Sequence, residues 1–188
     1  MRDAHAKELT VDAIMNLRTE IHSGDASWQE AEPLLKEVWP PAVMATRDWR
    51  DVVFAHADKR ILVWDANDGL VCHAGLFFRT MMWNDQSVRV GGVGGVATAR
   101  CYRGRGIASE ALRLAASTFA EADLDFGLLF CERDTFEYYA RLGWIEFDGQ
   151  AAIEQPTGGV SLTSLTPFIL DLKQSPRSGT LDLCGLPW

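Results

Sequence analysis

The chain has 188 residues and a formal net charge of −8, with 47% hydrophobic and 23% charged residues. This composition is typical of a globular protein with one core and excludes extensive disorder. The acidic charge argues against a protein that binds nucleic acid through its phosphates, because such a surface is basic. It suits a small cationic substrate, although many proteins are acidic without such a purpose.

Signals for membranes and metals are missing from the sequence. No apolar run approaches the roughly 20 residues that span a bilayer, and the opening sequence MRDAHAKELT leads into no apolar segment of a secretion signal. We therefore expect a cytoplasmic protein without a membrane partner. The four cysteines and four histidines form no C-x-x-C pair and no i, i+4 histidine pair, so no metal site is predicted.

The first part of the chain predicts a strand and two helical segments. Residues 1–14 are compatible with a short helix or an irregular segment, and alternating apolar and polar residues then predict a strand over 15–22. Apolar residues at helical spacing predict a helix over 28–38, which the two prolines at 40 and 41 end. A second helical segment is predicted from Asp48, over the sequence DWRDVVFAHA.

A series of antiparallel strands is predicted next. Residues 61–64 and the apolar run 70–83 flank an Asn-Asp-Gly turn, which favours a hairpin because Gly69 readily adopts a positive φ. Valines at spaced positions predict a further strand over 88–96. One apolar stripe then makes 106–123 the strongest helix prediction in the chain.

Helix and strand alternate in the remainder. We predict strands over 126–132, 144–149 and 166–172, a short helix over 135–143, and loops over 155–161 and 174–179. The order of strands followed by alternating helix and strand predicts an α+β, or mixed α/β, architecture.

The segment Arg103-Gly104-Arg105-Gly106-Ile107-Ala108 joins an apolar strand to the strongest helix. The start of a helix exposes unpaired backbone N–H groups, and glycines let such a backbone approach an anion closely, so the segment favours phosphate binding. It matches neither the P-loop nor the G-x-G-x-x-G fingerprint. On its own, Gly-Arg-Gly is also compatible with a plain turn.

Two motifs together resemble the GNAT superfamily of acyl-CoA-dependent N-acyltransferases. The first is R-x-x-G-x-A at Arg103, Gly106 and Ala108, and the second is Y-x-x-x-G-W, which begins at Tyr139. The resemblance covers roughly residues 15–149. It implies a mostly antiparallel, twisted central sheet flanked by helices, with residues 150–188 as an extension of one domain spanning 1–188.

The resemblance implies acetyl-CoA as co-substrate and small-molecule amines as acceptors. The main chain around Val96 and Thr98 would pair with the pantetheine arm. The pyrophosphate would be held by the backbone amides of the motif loop, aided by the positive end of the following helix. By position, the residues of that loop are Arg103, Gly104, Arg105, Gly106, Ile107 and Ala108.

The resemblance also places Tyr139 as the general acid that protonates the departing thiolate, in a direct transfer that needs no enzyme nucleophile. The alternative is an amphipathic core tyrosine whose hydroxyl is satisfied elsewhere. Cys131 has two readings as well, an acyl carrier in a two-step route or a buried structural thiol.

Within the superfamily, the chain looks most like the aminoglycoside 2'-N-acetyltransferases. The shared pieces are Asp48-Trp49, His73-Ala74, the loop 156–158 and the tail with its final tryptophan. In that family acidic side chains and the terminal carboxylate hold the cationic sugar. The resemblance therefore implies that Asp48 and Trp188 contact the acceptor.

The chain departs from that family at the central strand, where Gly94 stands in place of a glutamate thought to relay the proton of the amine. The base is left open among a water chain, Glu132, Asp134 and the terminal carboxylate. Rival functions are a peptide, protein or longer-chain N-acyltransferase of the same fold, and a non-catalytic acyl-CoA-binding protein.

Two compositional features have alternative readings. The run Val-Gly-Gly-Val-Gly-Gly at 90–95 indicates either strands that splay to admit acyl-CoA, or a bulky neighbour such as Trp64 or Trp83 packed on the glycines. The seven tryptophans favour core filling, an acceptor groove for a ring-bearing substrate, or a buried homodimer interface.

Overall fold

The computed structural model describes residues 17–188, which build one large sheet with helices packed against it. The strands are β1 (Leu17–Ser23), β2 (Lys59–Asp65), β3 (Gly69–Trp83), β4 (Gln86–Thr98), β5 (Phe126–Cys131), β6 (Trp144–Glu146), β7 (Asp148–Gln155), β8 (Gly158–Ser161), β9 (Thr166–Asp171) and β10 (Ser178–Asp182). The α-helices are α1 (Trp28–Val38), α2 (Pro41–Met44), α3 (Ile107–Glu121) and α4 (Phe136–Ala140).

The sheet is mixed and mostly antiparallel. Strands β1 to β4 form an antiparallel meander, and β4 pairs in parallel with β5 because α3 provides the crossover between them. On the far side of β5 lies β9, which is antiparallel to β5, and beyond it β6, which is antiparallel to β9. The C-terminal end of β3 pairs with β10, which runs parallel to β7 and thereby joins β8 to the same sheet. This topology confirms the predicted mixed, mostly antiparallel architecture.

The two long helices follow the predicted apolar patterns. Helix α3 begins after Gly106 and buries Ala111, Leu112, Ala115 and Phe119 against β3 and β4. Helix α1 continues through Pro33 and buries Ala31 and Leu34. Because α3 directly follows β4, its N-terminus is held beside the end of that strand.

The helix predicted from Asp48 is wrong. Residues 48–51 form turns and 52–57 have no regular secondary structure, while a short α2 lies earlier in the chain. The backbone of Val53 bonds to both ends of the Gln155 side-chain amide, at 2.8 and 3.0 Å. The N–H of Ala55 donates to the carbonyl of Pro187 at 2.7 Å. Partners distant in sequence thus replace the i→i−4 bonds of a helix.

The C-terminal part is more regular than predicted. The predicted loop 155–161 is a hairpin of β7 and β8, and β10 begins inside the predicted loop 174–179. The predicted strand 144–149 divides at buried Phe147, because β6 pairs with β9 whereas β7 pairs with β10. Residues 150–188 thus contribute strands to the central sheet.

Other predictions meet the limits of the described chain. The predicted first strand appears as β1, while the alternatives for residues 1–14 lie outside the described residues. No helix between residues 17 and 188 has the length and apolarity to cross a membrane. The same residues contain no group of three or more His, Cys, Asp or Glu side chains arranged to hold a metal ion.

Candidate active site

Strands β4 and β5 diverge at the middle of the sheet. Their parallel pairing covers Val90–Val93 and Phe126–Leu129 only, so in the described chain the β5-facing edge of β4 has no strand partner from Gly94 to Thr98. A register shift on β3 between His73 and Gly75 and a positive φ of 59° at Gly95 mark a bulge at this point. The glycine run at 90–95 thus lies where the two strands splay apart, as one of its two interpretations predicts.

Val96 and Thr98, the two positions on that edge predicted to bind the pantetheine arm, differ in their contacts. Val96 lines the cavity described below. The carbonyl of Thr98 already accepts a hydrogen bond from Nε of Arg103 at 3.0 Å, and its hydroxyl donates to Cys72 Sγ at 3.4 Å. Arg103 is thus tied to the end of β4.

The loop that follows β4 leaves the amides at the start of α3 free. Gly104 and Gly106 have φ values of 75° and 81°, and open space surrounds the position of a Cβ on either residue. The first helical bond runs from the Glu110 N–H to the Gly106 carbonyl at 3.1 Å. Consequently the N–H groups of Ile107 and Ala108 have no acceptor within their helix, and with the helix dipole they can receive an anion.

A polar network braces this loop from the β2–β3 hairpin. The Tyr102 hydroxyl donates to Oδ2 of Asp68 at 2.6 Å, and the guanidinium of Arg105 lies 4.8 Å from the Tyr102 ring centre. Nη2 of Arg105 also donates to the carbonyl of Cys101 at 2.8 Å. The Arg105 side chain therefore stabilises the loop conformation.

A cavity of about 600 Å³ opens beside the divergent strands. Its walls come from α1, the segment 44–57, the middle of β4, the end of β5 and the start of α4. Most of its large lining side chains are aromatic: Trp28, Trp39, Trp49, Phe54, Phe77, Phe130, Tyr139 and Trp188. This volume and this lining are typical of a small-molecule site.

Tyr139 lines the cavity from α4, next to Cys131 at the end of β5. Burial first, and then the proximity of Cys131 and Tyr138, raise the pKa of Tyr139 well above its usual value of 10, and no hydrogen bond from another described residue opposes this shift. Its hydroxyl therefore stays protonated at neutral pH. Tyr138 differs, because its hydroxyl lies 3.3 Å from Oγ of Ser109 on α3.

Cys131 is a buried thiol. Burial is the main cause that raises the pKa of Cys131 to about 12. A thiolate is the nucleophilic form of cysteine, so this environment disfavours an acyl-carrier role.

The carboxylates in the cavity wall are largely paired. Nη1 of Arg47 lies 3.0 Å from both carboxylate oxygens of Glu132, and Lys36 pairs with Glu32 at 3.1 Å. Asp134 also lines the cavity and forms no salt bridge with any residue between 17 and 188.

The two predicted acceptor residues occupy different environments. Asp48 is exposed and does not line the cavity, whereas its neighbours Arg47 and Trp49 do. Trp188 is 5% exposed and lines the cavity with its ring, which stacks on Phe77 at 5.4 Å between centres. The structure thus gives Asp48 no contact that supports acceptor binding.

Trp188 also explains the glycine run. A Cβ on Gly92 would lie 2.3 Å from the indole Cε2 of Trp188, and a Cβ on Gly94 would lie 2.8 Å from its main-chain carbon. The bulky-neighbour reading is therefore correct in kind, but the neighbours are Trp188 at Gly92 and Gly94 and Phe119 at Gly91, and not Trp64 or Trp83. The position of Gly94 has no room for a glutamate side chain.

His73 and Arg60 form a buried polar pair in the cavity wall. Nε2 of His73 lies 2.9 Å from Nη1 of Arg60, and Nδ1 lies 2.7 Å from the Gly95 carbonyl. Because a guanidinium and a carbonyl face the two nitrogens, Nδ1 carries the proton and donates to Gly95 while Nε2 accepts from Arg60. The ring thus connects β2 to the bulge of β4.

Acid should destabilise the protein through His73. Burial, the largest cause, and nearby Arg60 lower the pKa of His73 to about 4, although the Gly95 bond opposes them. Unfolded histidine binds its proton near pH 6.5, so the unfolded state gains protons first as the pH falls. The His73 contribution to the free energy of unfolding should fall by about 2 kcal/mol from pH 7 to pH 5.

Urea unfolding at pH 5, 6 and 7 measures this effect. The variant His73→Gln should show a flatter pH dependence, whereas the control His56→Gln, at an exposed histidine, should follow the unchanged protein. An equal slope in His73→Gln would contradict a neutral buried ring.

Comparison with known families places these features in context. Residues 21–146 match the model of the acetyltransferase (GNAT) domain, which is more than half of the chain. The chain belongs to the GNAT acetyltransferase family. This confirms the predicted family and its fold.

Individual relatives agree with the family assignment. An aminoglycoside 2'-N-acetyltransferase from Mycolicibacterium fortuitum is 27% identical over 112 residues, which cover 59% of this chain and 57% of that protein. A GNAT family N-acetyltransferase (YhbS) from Escherichia coli in complex with CoA has a TM-score of 0.59 at 16% identity, covering 89% of this chain and 88% of that one. A GNAT family acetyltransferase from Brucella melitensis in complex with acetyl-CoA has a TM-score of 0.56 at 12% identity, covering 87% and 94%.

Some residues of this GNAT site were not anticipated from the sequence. Arg47 and Arg60 lie just before the segment wrongly predicted as helix and before the predicted strand 61–64, respectively, Phe77 lies inside the predicted strand 70–83, and nothing in their spacing marks them. The sequence marks His73 only through the dipeptide His73-Ala74, which is shared with the aminoglycoside 2'-N-acetyltransferases. The available signal is the charge of Arg60, which directly precedes the apolar strand residues that begin at Ile61.

Proposed function

We propose that the protein transfers the acetyl group of acetyl-CoA to a small primary amine bound in the aromatic cavity. The observation that carries this proposal is the meeting of three features: the open edge of β4, the free amides of α3, and a cavity into which Tyr139 projects from the family's motif position. Cytoplasmic location and a homodimer stay predictions.

The residues of β4 and its loop fit coenzyme A. Bound acetyl-CoA supplies an activated thioester carbonyl for acyl transfer. The free β4 edge at Val96 and Thr98 would pair with the pantetheine amides, with the Thr98 carbonyl already engaged by Arg103. The amides of the loop 103–108 would face the pyrophosphate, which carries the charge that a helix N-terminus favours.

Substitution of Gly106 should weaken coenzyme A binding. Alanine at a φ of 81° is strained by about 1–2 kcal/mol, so Gly106→Ala should raise the Kd for acetyl-CoA by roughly 5- to 30-fold as the loop relaxes. Isothermal calorimetry measures this change. The control Gly158→Ala also has a positive φ and open space, but it lies in the β7–β8 turn and should leave the Kd unchanged. Equal effects of both variants would contradict the role of the loop.

Direct transfer needs a site that orients the amine, a base that removes its proton, and an acid that protonates the sulfur. The neutral amine attacks the thioester carbonyl, a C–N bond forms, the C–S bond breaks, and the sulfur leaves as a thiol after it receives a proton. Tyr139 would donate that proton, and its raised pKa keeps the hydroxyl protonated for this step. The cavity walls would orient the amine, which supplies much of the rate in a reaction between two bound substrates.

Two of the predicted bases are side-chain carboxylates in the cavity wall, and a third, the terminal carboxylate, belongs to Trp188, which lines the same cavity. Asp134 forms no salt bridge with another described residue, whereas Glu132 is paired with Arg47. A carboxylate without a salt bridge can approach the amine without first breaking an ion pair. We therefore favour Asp134, directly or through water.

An aminoglycoside is the acceptor predicted from the sequence, and the name of the Mycolicibacterium relative supports it. The charges of the cavity give it little further support. Two of the three side-chain carboxylates that line the cavity are neutralised by Lys36 and Arg47, and the exposed Asp48 lies outside the wall. The aromatic side chains of the cavity wall suit a sugar ring or an aromatic ring alike.

Release of free thiol from acetyl-CoA tests the proposal. Aminoglycosides, polyamines, amino acids and peptides serve as acceptors, and the protein should consume at least one class faster than it hydrolyses acetyl-CoA. Longer acyl-CoA donors test the longer-chain alternative. Tight binding of acetyl-CoA without turnover of any amine would contradict the proposal and favour a non-catalytic acyl-CoA-binding protein.

A further inference from the structure

Arg60 is a buried cation in the wall of the acceptor cavity. The residue is 3% exposed and lies at the start of β2. Its Nε donates to the Gly24 carbonyl at 3.1 Å, Nη1 donates to His73, and the guanidinium lies 5.0 Å from the Trp28 ring centre. All of these partners are neutral.

The charge of Arg60 has no direct counterion among residues 17–188. It forms no salt bridge there, and Asp25 acts on it only through space. Buried charges are normally paired, because an unpaired ion in the interior has lost its hydration without compensation. His73 does not relieve this deficit, because its neutral ring accepts a hydrogen bond from Arg60 and carries no charge.

Part of the guanidinium fork is also unused. Nε and Nη1 make the two hydrogen bonds to protein, whereas Nη2 has no hydrogen-bond partner in the described chain. Guanidinium groups recognise carboxylates through two adjacent N–H groups in one plane. An anionic group in the cavity would use the unfilled donors and supply the missing charge.

Arg60 lies close to the strand along which the acetyl donor is proposed to bind. A single imidazole ring separates its Nη1 from the Gly95 carbonyl, with contacts of 2.9 and 2.7 Å on either side. Gly95 and Val96 line the same cavity as Arg60. An acceptor held at Arg60 by one end would therefore share one cavity with this part of β4 and with Tyr139.

The other cations in the cavity wall are already neutralised. Lys36 pairs with Glu32, and Arg47 pairs with both oxygens of Glu132. Arg60 is thus the lining cation whose charge, within residues 17–188, is available to a ligand.

From this arrangement we propose that Arg60 binds a carboxylate of the acceptor, so that the substrate is an amine that also carries a carboxylate. The inference rests on the proposed N-acetyltransferase function and names its substrate class. The aromatic walls add a preference for an acceptor with an aromatic ring, as in an aromatic amino acid. The amine and not the carboxylate accepts the acetyl group, so the reaction is otherwise that given above.

Matched acceptors test the proposal in the unmodified protein. Phenylalanine and phenylalaninamide differ in the carboxylate but share the ring and the amine. The kcat/KM for the acid should exceed that for the amide by at least about tenfold, the value of a hydrogen bond to a charged group. The amine of the amide is less basic and more of it is neutral, so the difference in basicity opposes the expected result. Equal or better turnover of the amide would overturn the proposal.

Variants at Arg60 separate recognition from structure. Arg60→Gln should lower kcat/KM for phenylalanine by at least about tenfold and leave that for phenylalaninamide within roughly threefold. Arg60→Lys should retain part of the preference. The control Arg18→Gln, at an exposed arginine on β1, should retain all of it. A merely structural role would lower both activities equally, and that result would also overturn the proposal.

Ligand binding to the unmodified protein keeps the test independent of catalysis and of variant folding. Calorimetry with 3-phenylpropionate and with 3-phenylpropanamide should give tighter binding of the acid by about tenfold or more. If no amine is acetylated yet the acid binds preferentially, the proposed activity fails while the Arg60 site stands. Equal binding of acid and amide refutes the site whatever the activity.

Discussion

Replacement of Tyr139 by phenylalanine should lower kcat by about 100- to 10,000-fold, the range expected when a general acid is removed. The ring would still fill its place between Cys131 and the cavity, because only the hydroxyl is lost. Binding of acetyl-CoA and stability should therefore change little. Stopped thiol-release assays at saturating acetyl-CoA and acceptor measure kcat directly.

The pH dependence of kcat gives a second readout for Tyr139. Its pKa is raised above 10, so its hydroxyl remains protonated as the pH rises through that value. Deprotonation of Tyr139 should therefore cause no loss of kcat below pH 10. A decline of kcat at lower pH would need another group.

Tyr138→Phe is the matched control. Its hydroxyl lies 3.3 Å from Ser109 and does not line the cavity, so its loss should change kcat by less than roughly threefold. A Tyr139→Phe variant that retains the rate of the control would favour the reading of Tyr139 as a core residue. It would also favour the non-catalytic alternative.

The predictable part of the fold is the part with strong periodicity. The stripe of α3 and the alternating or apolar runs of β2 to β5 follow from local patterns, and the motif at Arg103 places the α3 amides beside β4. The family resemblance then predicts where the acetyl donor binds. These features depend on neighbours in sequence or on the family's motifs.

The acceptor side of the site was less predictable because distant partners build it. Apolar residues at mixed spacing made 48–57 look helical, but the backbone of this segment bonds to Gln155 and Pro187. The contact between His73 and Arg60 likewise depends on the pairing of β2 with β3, and the register that places them together is not readable from either strand alone.

Trp188 shows how one residue serves both packing and the site. Its ring stacks on Phe77, Nε1 donates to the Leu128 carbonyl at 3.2 Å, and the Arg79 guanidinium lies 5.1 Å from the ring centre. Contacts on several sides fix the indole. The glycines of β4 provide the space that it occupies.

Introduction of a side chain at Gly92 should therefore be strongly destabilising. The first side-chain atom of Gly92→Val would lie 2.3 Å from Cε2 and 2.7 Å from Nε1 of Trp188, which cannot withdraw without losing its other contacts. We expect a loss of about 3 kcal/mol in the free energy of unfolding and a Tm lower by roughly 6–12 °C, by urea and thermal unfolding. The displaced ring should also raise the KM for the acceptor.

Gly159→Val is the matched control, because it adds the same side chain to exposed β8, where the nearest neighbour of an added Cβ is the Ile153 carbonyl oxygen at 4.0 Å. This variant should be close to the unchanged protein in stability. The cost of Gly92→Val should also shrink in a Trp188→Ala background, because the two residues are in contact and their effects are not additive. An equal cost in both backgrounds would mean that strain within β4, and not the indole, requires glycine at this position.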